Sequence, residues 1–468
     1  MRIIKNRQNI SRRLLVVAGI FLLGLKCMAA THYVVPPGTA GVTPADPFTN
    51  WATAGTNLID VVNAAMTNTA ARLVWVTNGT YSMTNQIYVN NALTLQSVNG
   101  RDATILNGQA RLYTNSCVDF DVASCVFDGF TVSNYYSSDS AVYMNRGTLR
   151  NCLIIGNTNT GGSGGTVQLY KGTAATNCIF KNNRVNSQGG GIYSSGGSSL
   201  MVAGCLFEGN DVGANYGGAC SLGGSGITIS NCVFINNIAP TFGGGIYLSG
   251  ADNKVVNCTI TGNMTTAASS KGGGIFCTGP ITIKNCSIIG NSATNQGGGV
   301  WGTNITIQNC LIAQNQSTTN AGGGIWMTNG IIESCTIAAN YAKVVGGGIY
   351  ITGSDSRGTN NIVYFNTAAD GANFTNDTVG ATGLNYSCVI PAVDGTGNIT
   401  NNPVFKNQAG GDYHLRMTSP CVNAGTNQFW MTNAVDLDGN ARILKIIVDM
   451  GAYETRIWQG TIFSAYGR

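Results

Sequence analysis

Charge is scarce in this chain. Lys, Arg, Asp and Glu make up 10% of its 468 residues, against roughly a quarter in an ordinary soluble domain. Histidine is rarer still: only His32 and His414 are present, which leaves little room for a histidine-dependent mechanism in the body of the chain. No two cysteines have the Cys-x-x-Cys spacing of a zinc site. No lysine follows a glycine run as in a phosphate-binding loop. The apolar run Leu14 to Leu25 has twelve residues, too few for a stable membrane span.

That run identifies an address. Arg2, Lys5, Arg7, Arg12 and Arg13 precede it and Met28-Ala29-Ala30 follow, so residues 1–30 read as a secretory signal peptide cleaved near Ala30. The peptide takes six of the 25 basic residues and none of the 20 acids. The formal net charge of +5 then becomes −1, since nineteen bases face 20 acids. The basic balance therefore gives no reason to expect a nucleic-acid partner. Asn, Thr, Ser and Gly supply the polar surface instead, which suits an extended extracellular protein with neutral partners.

What the chain does have is repetition. NCLIIGN (151–157), NCIFKNN (177–183), NCVFINN (231–237), NCTITGN (257–263), NCSIIGN (285–291) and NCLIAQN (309–315) are copies of one sentence. Cys125, Cys152, Cys178, Cys205, Cys232, Cys258, Cys286, Cys310 and Cys335 are 24 to 28 residues apart, and Asn361 takes the next turn. A period in the twenties means a solenoid with one coil per repeat.

Each coil can be read residue by residue. In ITIKNCSII (281–289), Ile281 and Ile283 share one parity and Cys286 and Ile288 the other. Strand alternation then requires a corner at Lys284-Asn285. The corner position recurs as Asn151, Asn177, Gly204, Asn231, Asn257, Asn285, Asn309, Ser334 and Asn360. Asn and Gly tolerate left-handed backbone, which explains all but Ser334. A second series, Asn157, Asn183, Asn210, Asn237, Asn263, Asn291, Asn315, Asn340 and Asn366, lies five residues after each cysteine. Inward-turned amides at one position per coil form a hydrogen-bonded ladder; the alternative is loop asparagines facing water. The cysteines occupy equal places in successive coils, so their Cβ vectors run parallel. They read as buried free thiols. Cys388 and Cys421, outside the repeats, are the better disulfide candidates.

A glycine-rich strand closes each coil: GGGIY (189–193), GGGIY (243–247), GGGIF (272–276), GGGVW (297–301), GGGIW (322–326) and GGGIY (346–350). Three parallel strands per coil make an all-β, right-handed parallel β-helix of about 12 coils, roughly 58 Å long at the inter-strand spacing. Leu58, Ile59, Val62, Ala65 and Met66 after Thr56-Asn57 read as a short N-terminal capping helix. The expected organisation is signal peptide 1–30, cap and first coils 31–110, β-helix 111–385, C-terminal β-rich module 386–456 and tail 457–468.

Two family resemblances follow from these motifs. The alternation of GG[AG]I with CxIxxN or CxFxxN over about residues 140–366 resembles the repeat of chlamydial-type polymorphic outer membrane proteins, β-helical surface adhesins. Their membrane barrel has no counterpart in the roughly 100 residues after Asn366, which lack a series of ten-residue alternating strands. NPVF (402–405), GDYHL (411–415), SPCVNAG (419–425), DLDGNAR (436–442) and VDMGAYE (448–454) resemble the choice-of-anchor Q domain of secreted bacterial β-helix proteins. That resemblance implies a secreted or surface location and no reaction. The fourteen residues after Glu454 carry no apolar span or sortase-type motif.

The β-helix also resembles the pectin-lyase-like superfamily, many of whose members are polysaccharide lyases, hydrolases or uronate epimerases. Such chemistry needs clustered carboxylates or a Ca²⁺-binding acidic set on one outer face. The NTD, paired-Asp and Arg-x-Lys signatures of polygalacturonases are absent. Lys181, Glu208, Asp211 and Arg184 form the one mixed-charge patch available as a catalytic candidate; its ordinary reading is surface ion pairs worth under about 1 kcal/mol. Tyr247, Phe276, Trp301, Trp326 and Tyr350 follow the glycines at one outward position per coil and are the candidate ligand-binding residues, for a glycan or a protein. The other reading of that row is a ladder that stabilises the sheet. Asp436, Asp438 and Asn440 are candidate Ca²⁺ ligands, or turn residues. The leading expectation is an adhesion or glycan-binding scaffold for extracellular polysaccharide or surface glycan or protein; the alternative is a polysaccharide lyase or glycoside hydrolase on the same fold.

Overall fold

The computed structural model describes residues 30–67, 72–162, 164–377, 383–444 and 446–455; the signal peptide expected over 1–30 falls outside them save for Ala30, and so does the tail 457–468. Among the described residues the chain winds as a parallel β-solenoid of three sheets with 23, 13 and 10 strands. The long sheet takes the glycine-led strand and the strand before each Asn-Cys corner. The second sheet takes the strand after each cysteine, and the short sheet the two residues after each ladder asparagine. In mid-rod the two strands of the long sheet fuse, as in Ile275–Lys284, Val300–Gln308 and Ile325–Glu333.

The corners are left-handed as read from sequence. Asn151, Asn177, Asn231, Asn257, Asn285, Asn309 and Asn360 have φ between 52° and 59°, and Gly204 has 63°. Ser334 has φ 52° as well, with a buried hydroxyl that has no hydrogen-bond partner; nothing in the structure explains serine there. The glycine run meets a steric demand. A Cβ on Gly218 would stand 2.1 Å from the Gly244 carbonyl oxygen of the next coil.

The second asparagine series is an inward ladder. Asn183, Asn210, Asn237, Asn263, Asn291 and Asn340 are fully buried. Asn237 Oδ1 accepts from the backbone N–H of Asn210 at 3.0 Å and from its Nδ2 at 2.9 Å. Asn237 Nδ2 donates to Phe207 O and to Asn263 Oδ1. Each amide thus closes hydrogen bonds with the coils on both sides, and the last rung passes from Asn366 to Asn373. Buried polar groups that would otherwise each cost about 1–3 kcal/mol are paired.

The repeat cysteines are buried free thiols with no disulfide among them. From Cys152 onward their thiols donate to the carbonyl two residues earlier, as Cys232 does to Ser230 O at 3.1 Å; Cys125 is not in this column, since it pairs with Gly147 on the long sheet and its thiol donates to Asn91 O. Inside the cylinder they pack with stacked Phe180, Phe207 and Phe234, whose centroids are 4.6 and 4.8 Å apart. Cys388 and Cys421 are free thiols too.

The rod begins ahead of the capping helix. Ala30–Val34 already pairs in parallel with Arg72–Val76. Helix Leu58–Met66 lies between them in sequence, buries Leu58, Val61, Val62 and Ala65, and is capped by Asn57, whose Oδ1 accepts from Ile59 N at 3.0 Å. At the other end the rod runs on past residue 385, since Cys388–Val389 still pairs in parallel with Ile362–Tyr364. The C-terminal module, residues beyond about 400, folds back along the rod. It covers outward side chains of the second sheet, so that Leu311, Ala313, Ala338 and Ile362 share an apolar cluster with Phe405, Tyr413, Leu415 and Met450.

Candidate functional site

One outward column runs the length of the long sheet. Strand register aligns Tyr88, Asp119, Tyr143, Gln168 and Tyr193. It continues through Ser221, Tyr247, Phe276, Trp301, Trp326 and Tyr350. The residue before each member, Ile or Val except at Cys220, turns into the core, as Ile246, Ile275, Val300 and Ile325 do at 0% exposure. The two halves of the column differ.

In the C-terminal half the rings stack face to face. Phe276 and Trp301 are 4.6 Å apart with 5° between planes, and Trp301 and Trp326 are 4.8 Å apart with 5°. A second column, Tyr216, Phe242, Lys271, Gln296 and Ala321, lies beside it. Phe242 stacks on Phe276, Lys271 Nζ stands 4.7 Å over Trp301, and Trp301 Nε1 donates to Gln296 Oε1 at 3.3 Å. Phe276 and Trp301 are therefore only 6% and 7% exposed. They point away from the core, yet their faces are taken by other rings. Tyr247, Trp326 and Tyr350 stay partly exposed.

The N-terminal half is more open and carries acid. Tyr88 is exposed, and Asp119, Tyr143, Gln168 and Tyr193 are partly exposed. Gln86 Nε2 donates to Asp119 Oδ2 at 3.3 Å, while Asp119 Oδ1 is buried without a partner. Burial, then the nearby Asp121 and Asp139 carboxylates, push Asp119 up to about 6. Tyr88 Oη donates to Asp121 Oδ2 at 3.2 Å, and Tyr143 faces Tyr170 at 5.5 Å. The result is a shelf of aromatic rings, amides and a carboxyl that keeps its proton to a higher pH than an ordinary aspartate, a combination of stacking faces, hydrogen-bonding groups and an acid. Asp119 lies on the long sheet, apart from the Lys181 and Glu208 positions of the second sheet. The available signal was Val118-Asp119-Phe120, an acid on the solvent side between two core residues.

The mixed-charge patch resolves into two cross-strand pairs. Lys181 lies 3.0 Å from Glu208 on the second sheet, and Arg184 lies 3.7 Å from Asp211 on the short sheet. All four side chains are over a third exposed, as expected of surface ion pairs.

In the C-terminal module, Asp436 is a turn-former. Its Oδ1 accepts from Asp438 N and Asn440 N, and its Oδ2 from Asn440 Nδ2 and Glu454 N. Asp438 turns to His414, with its Oδ2 2.8 Å from Nε2, while Asp412 binds Nδ1. This donor set does not fit Ca²⁺, because both carboxylate oxygens of Asp436 and Oδ2 of Asp438 are already taken by protein partners. Among the described residues no group of three or more His, Cys, Asp and Glu is arranged to hold a metal. Beside this turn lies a cavity of about 560 Å³ lined by Lys406, His414, Asp438 and Tyr453, among others. Beneath it Arg442 is fully buried and pairs with Glu454 at 3.2 Å. Burial pushes Glu454 up to about 8 against the pull of that guanidinium.

These coils define a right-handed parallel β-helix. The family described as the right handed beta helix region matches residues 140–303 and 223–424, together more than half of the chain, and the chain belongs to it. No curated protein matches the chain. Among solved structures it is similar to the catalytic unit of a GH87 alpha-1,3-glucanase from Streptomyces thermodiastaticus, with 14% identity, 77% of this chain and 67% of that one covered, and a TM-score of 0.40. It is similar to pectate lyase Pel9A, with 15% identity, 91% and 96% covered, and a TM-score of 0.36. A rhamnogalacturonan lyase gives 12% identity, 91% and 97% covered, and 0.36. No helix among the described residues is long and apolar enough to cross a membrane.

Proposed function

We propose that the protein is an extracellular glycan-binding scaffold, secreted or held at the cell surface, that lays a polysaccharide along the outer face of its long sheet. The supporting observation is the open half of the column: Tyr88, Asp119, Tyr143, Gln168 and Tyr193, one residue per coil on a rigid support. Partly exposed rings offer stacking surfaces to sugar, and Gln168 and Asp119 offer hydrogen bonds. The ladder from Tyr247 to Tyr350 extends this face, with Tyr247, Trp326 and Tyr350 as its reachable members. The low charge suits neutral chains. Binding of the mature protein to a panel of plant, algal and bacterial polysaccharides tests the reading, with Tyr143→Ala and Tyr193→Ala each weakening it about tenfold. No binding across the panel, or binding untouched by both changes, rejects this face.

A second reading, a glycoside hydrolase or polysaccharide lyase, is favoured by Asp119 alone. A carboxyl raised to about 6 is suited to protonate a departing sugar oxygen near neutral pH. New reducing ends, or unsaturated uronate absorbance, from any polysaccharide of the panel would establish it, and their absence throughout would leave the scaffold.

A further inference from the structure

The outward column of the second sheet changes character along the rod. One residue after each repeat cysteine, and after Asn361 in the next turn, it reads Thr259, Ser287, Leu311, Thr336, Ile362 and, at its last strand, Cys388. Thr259 is exposed and Ser287 partly so. The remaining four are at most 5% exposed although they point away from the cylinder's core. The C-terminal module covers them. Strand alternation fixes the direction of Cys388, since its neighbour Val389 packs in the rod's core while Cys388 joins the module's cluster.

Cys421 comes down on the same spot from the module side. Its carbonyl accepts from Met450 N at 3.0 Å, and the next residue, Gly451, donates to Asn360 O at 2.7 Å on the rod. Cys421 shares the cluster with Cys388, Ile362 and Met450, and it is the foremost influence on the Cys388 thiol. This differs from the repeat cysteines, which stand at matching heights with parallel Cβ vectors. Here two different elements, the last strand of the second sheet and the folded-back segment, each bring one cysteine into a single buried cluster. Cysteines from separate elements can converge as a disulfide requires.

We propose that Cys388 and Cys421 are a disulfide site that fastens the C-terminal module to the last coil of the rod. Both thiols lose their protons and one S–S bond forms. The two electrons reduce a partner disulfide, small-molecule or protein, to two thiols. Both sulfurs are fully buried once the module is seated, and the contact with Cys421, followed by burial, holds the Cys388 thiol well above its ordinary range. The exchange therefore takes place as the module folds down. The site needs the oxidising extracellular setting proposed above, but its test does not depend on glycan binding.

The test uses the full mature chain, unfolded and refolded in a glutathione redox buffer, alkylated without reductant and digested. A peptide pair joined through Cys388 and Cys421, with the repeat cysteines recovered as alkylated thiols, is the expected result. The joined form should melt at a higher temperature than the same protein in dithiothreitol. A Cys388→Ala, Cys421→Ala chain should melt at one temperature in both buffers. Recovery of both cysteines as free thiols from the oxidised sample, or their joining to repeat cysteines, would overturn the assignment.

Discussion

Arg442 Nη1 donates to Asn309 Oδ1 at 3.3 Å, joining residues 133 positions apart in the chain. Asn309 is a left-handed corner of the rod, and its Nδ2 also donates to Val435 O of the module. Arg442 further reaches Gly451 O, Asp449 O and Glu454. One buried guanidinium thus holds the folded-back segment to itself and to the rod. Arg442→Ala strips these buried groups of a shared donor and should cost about 3 kcal/mol. Proteolysis should then trim the module while circular dichroism of the rod persists; an unchanged digestion pattern would deny the guanidinium this role.

The two asparagine series should respond differently to substitution, although they lie only six residues apart. Asn285 is a corner whose side chain bonds to Asn257 and Asn309 at the surface. Asn285→Gly keeps the backbone accessible and should cost under about 1 kcal/mol. Asn237→Ala strips the acceptor from two buried donors of Asn210 and should cost about 3 kcal/mol or more. Urea unfolding of both variants measures the contrast. Equal losses would mean that the inward ladder is not what ties one coil to the next.

The repeat was legible because side-chain phase and backbone sign are local properties. Cys286 and Ile288 had to switch parity from Ile283, and a left-handed Asn285 is the cheapest way to do it. The covering of the column was not legible. Whether Trp301 stands free depends on Phe242, Lys271 and Gln296, which sit before the glycines with no shared residue type to mark them as a series. The module's position was hidden for a related reason. Leu311, Thr336 and Ile362 are one column only in register, and their turn toward apolar or buried character makes sense only once Tyr413 and Met450 are seen over them. Asp119 was missed because its column was read only where glycines announce it.

Trp301 and Trp326 offer a comparison within one stack. Trp301 Nε1 has Gln296 as acceptor and Lys271 over its ring. Trp326 Nε1 is buried with no hydrogen-bond partner, since Ala321 stands where Gln296 would. Changing either tryptophan to Phe loses similar stacking area. Trp301→Phe also loses a hydrogen bond and a cation–π contact, whereas Trp326→Phe removes an unsatisfied donor. Trp301→Phe should therefore be the more destabilising by about 1–2 kcal/mol in urea melts. The reverse order would show that Trp326 Nε1 finds an acceptor in solution.

Asp119 sets a pH dependence whose sign is fixed by its environment. Burial first, then Asp121 and Asp139, raise it to about 6, above the ordinary value of about 3.9. The folded chain therefore holds this proton more tightly than the unfolded chain does. That contribution is fully present below about pH 4 and is lost as pH rises through about 6. Asp119→Asn keeps the shape and removes the charge. It should be neutral at about pH 4 and stabilising by about 1 kcal/mol at about pH 8, a value discounted because solvent screens a partly exposed group. Urea unfolding at the two pH values reads this directly, and a variant weaker than the parent at the higher pH would mean that the carboxylate is stabilised when charged. The same variant separates the two functional readings. As a proton donor, Asp119 is required for new reducing ends while binding survives its loss; as a contact, its replacement weakens binding and no cleavage exists to lose.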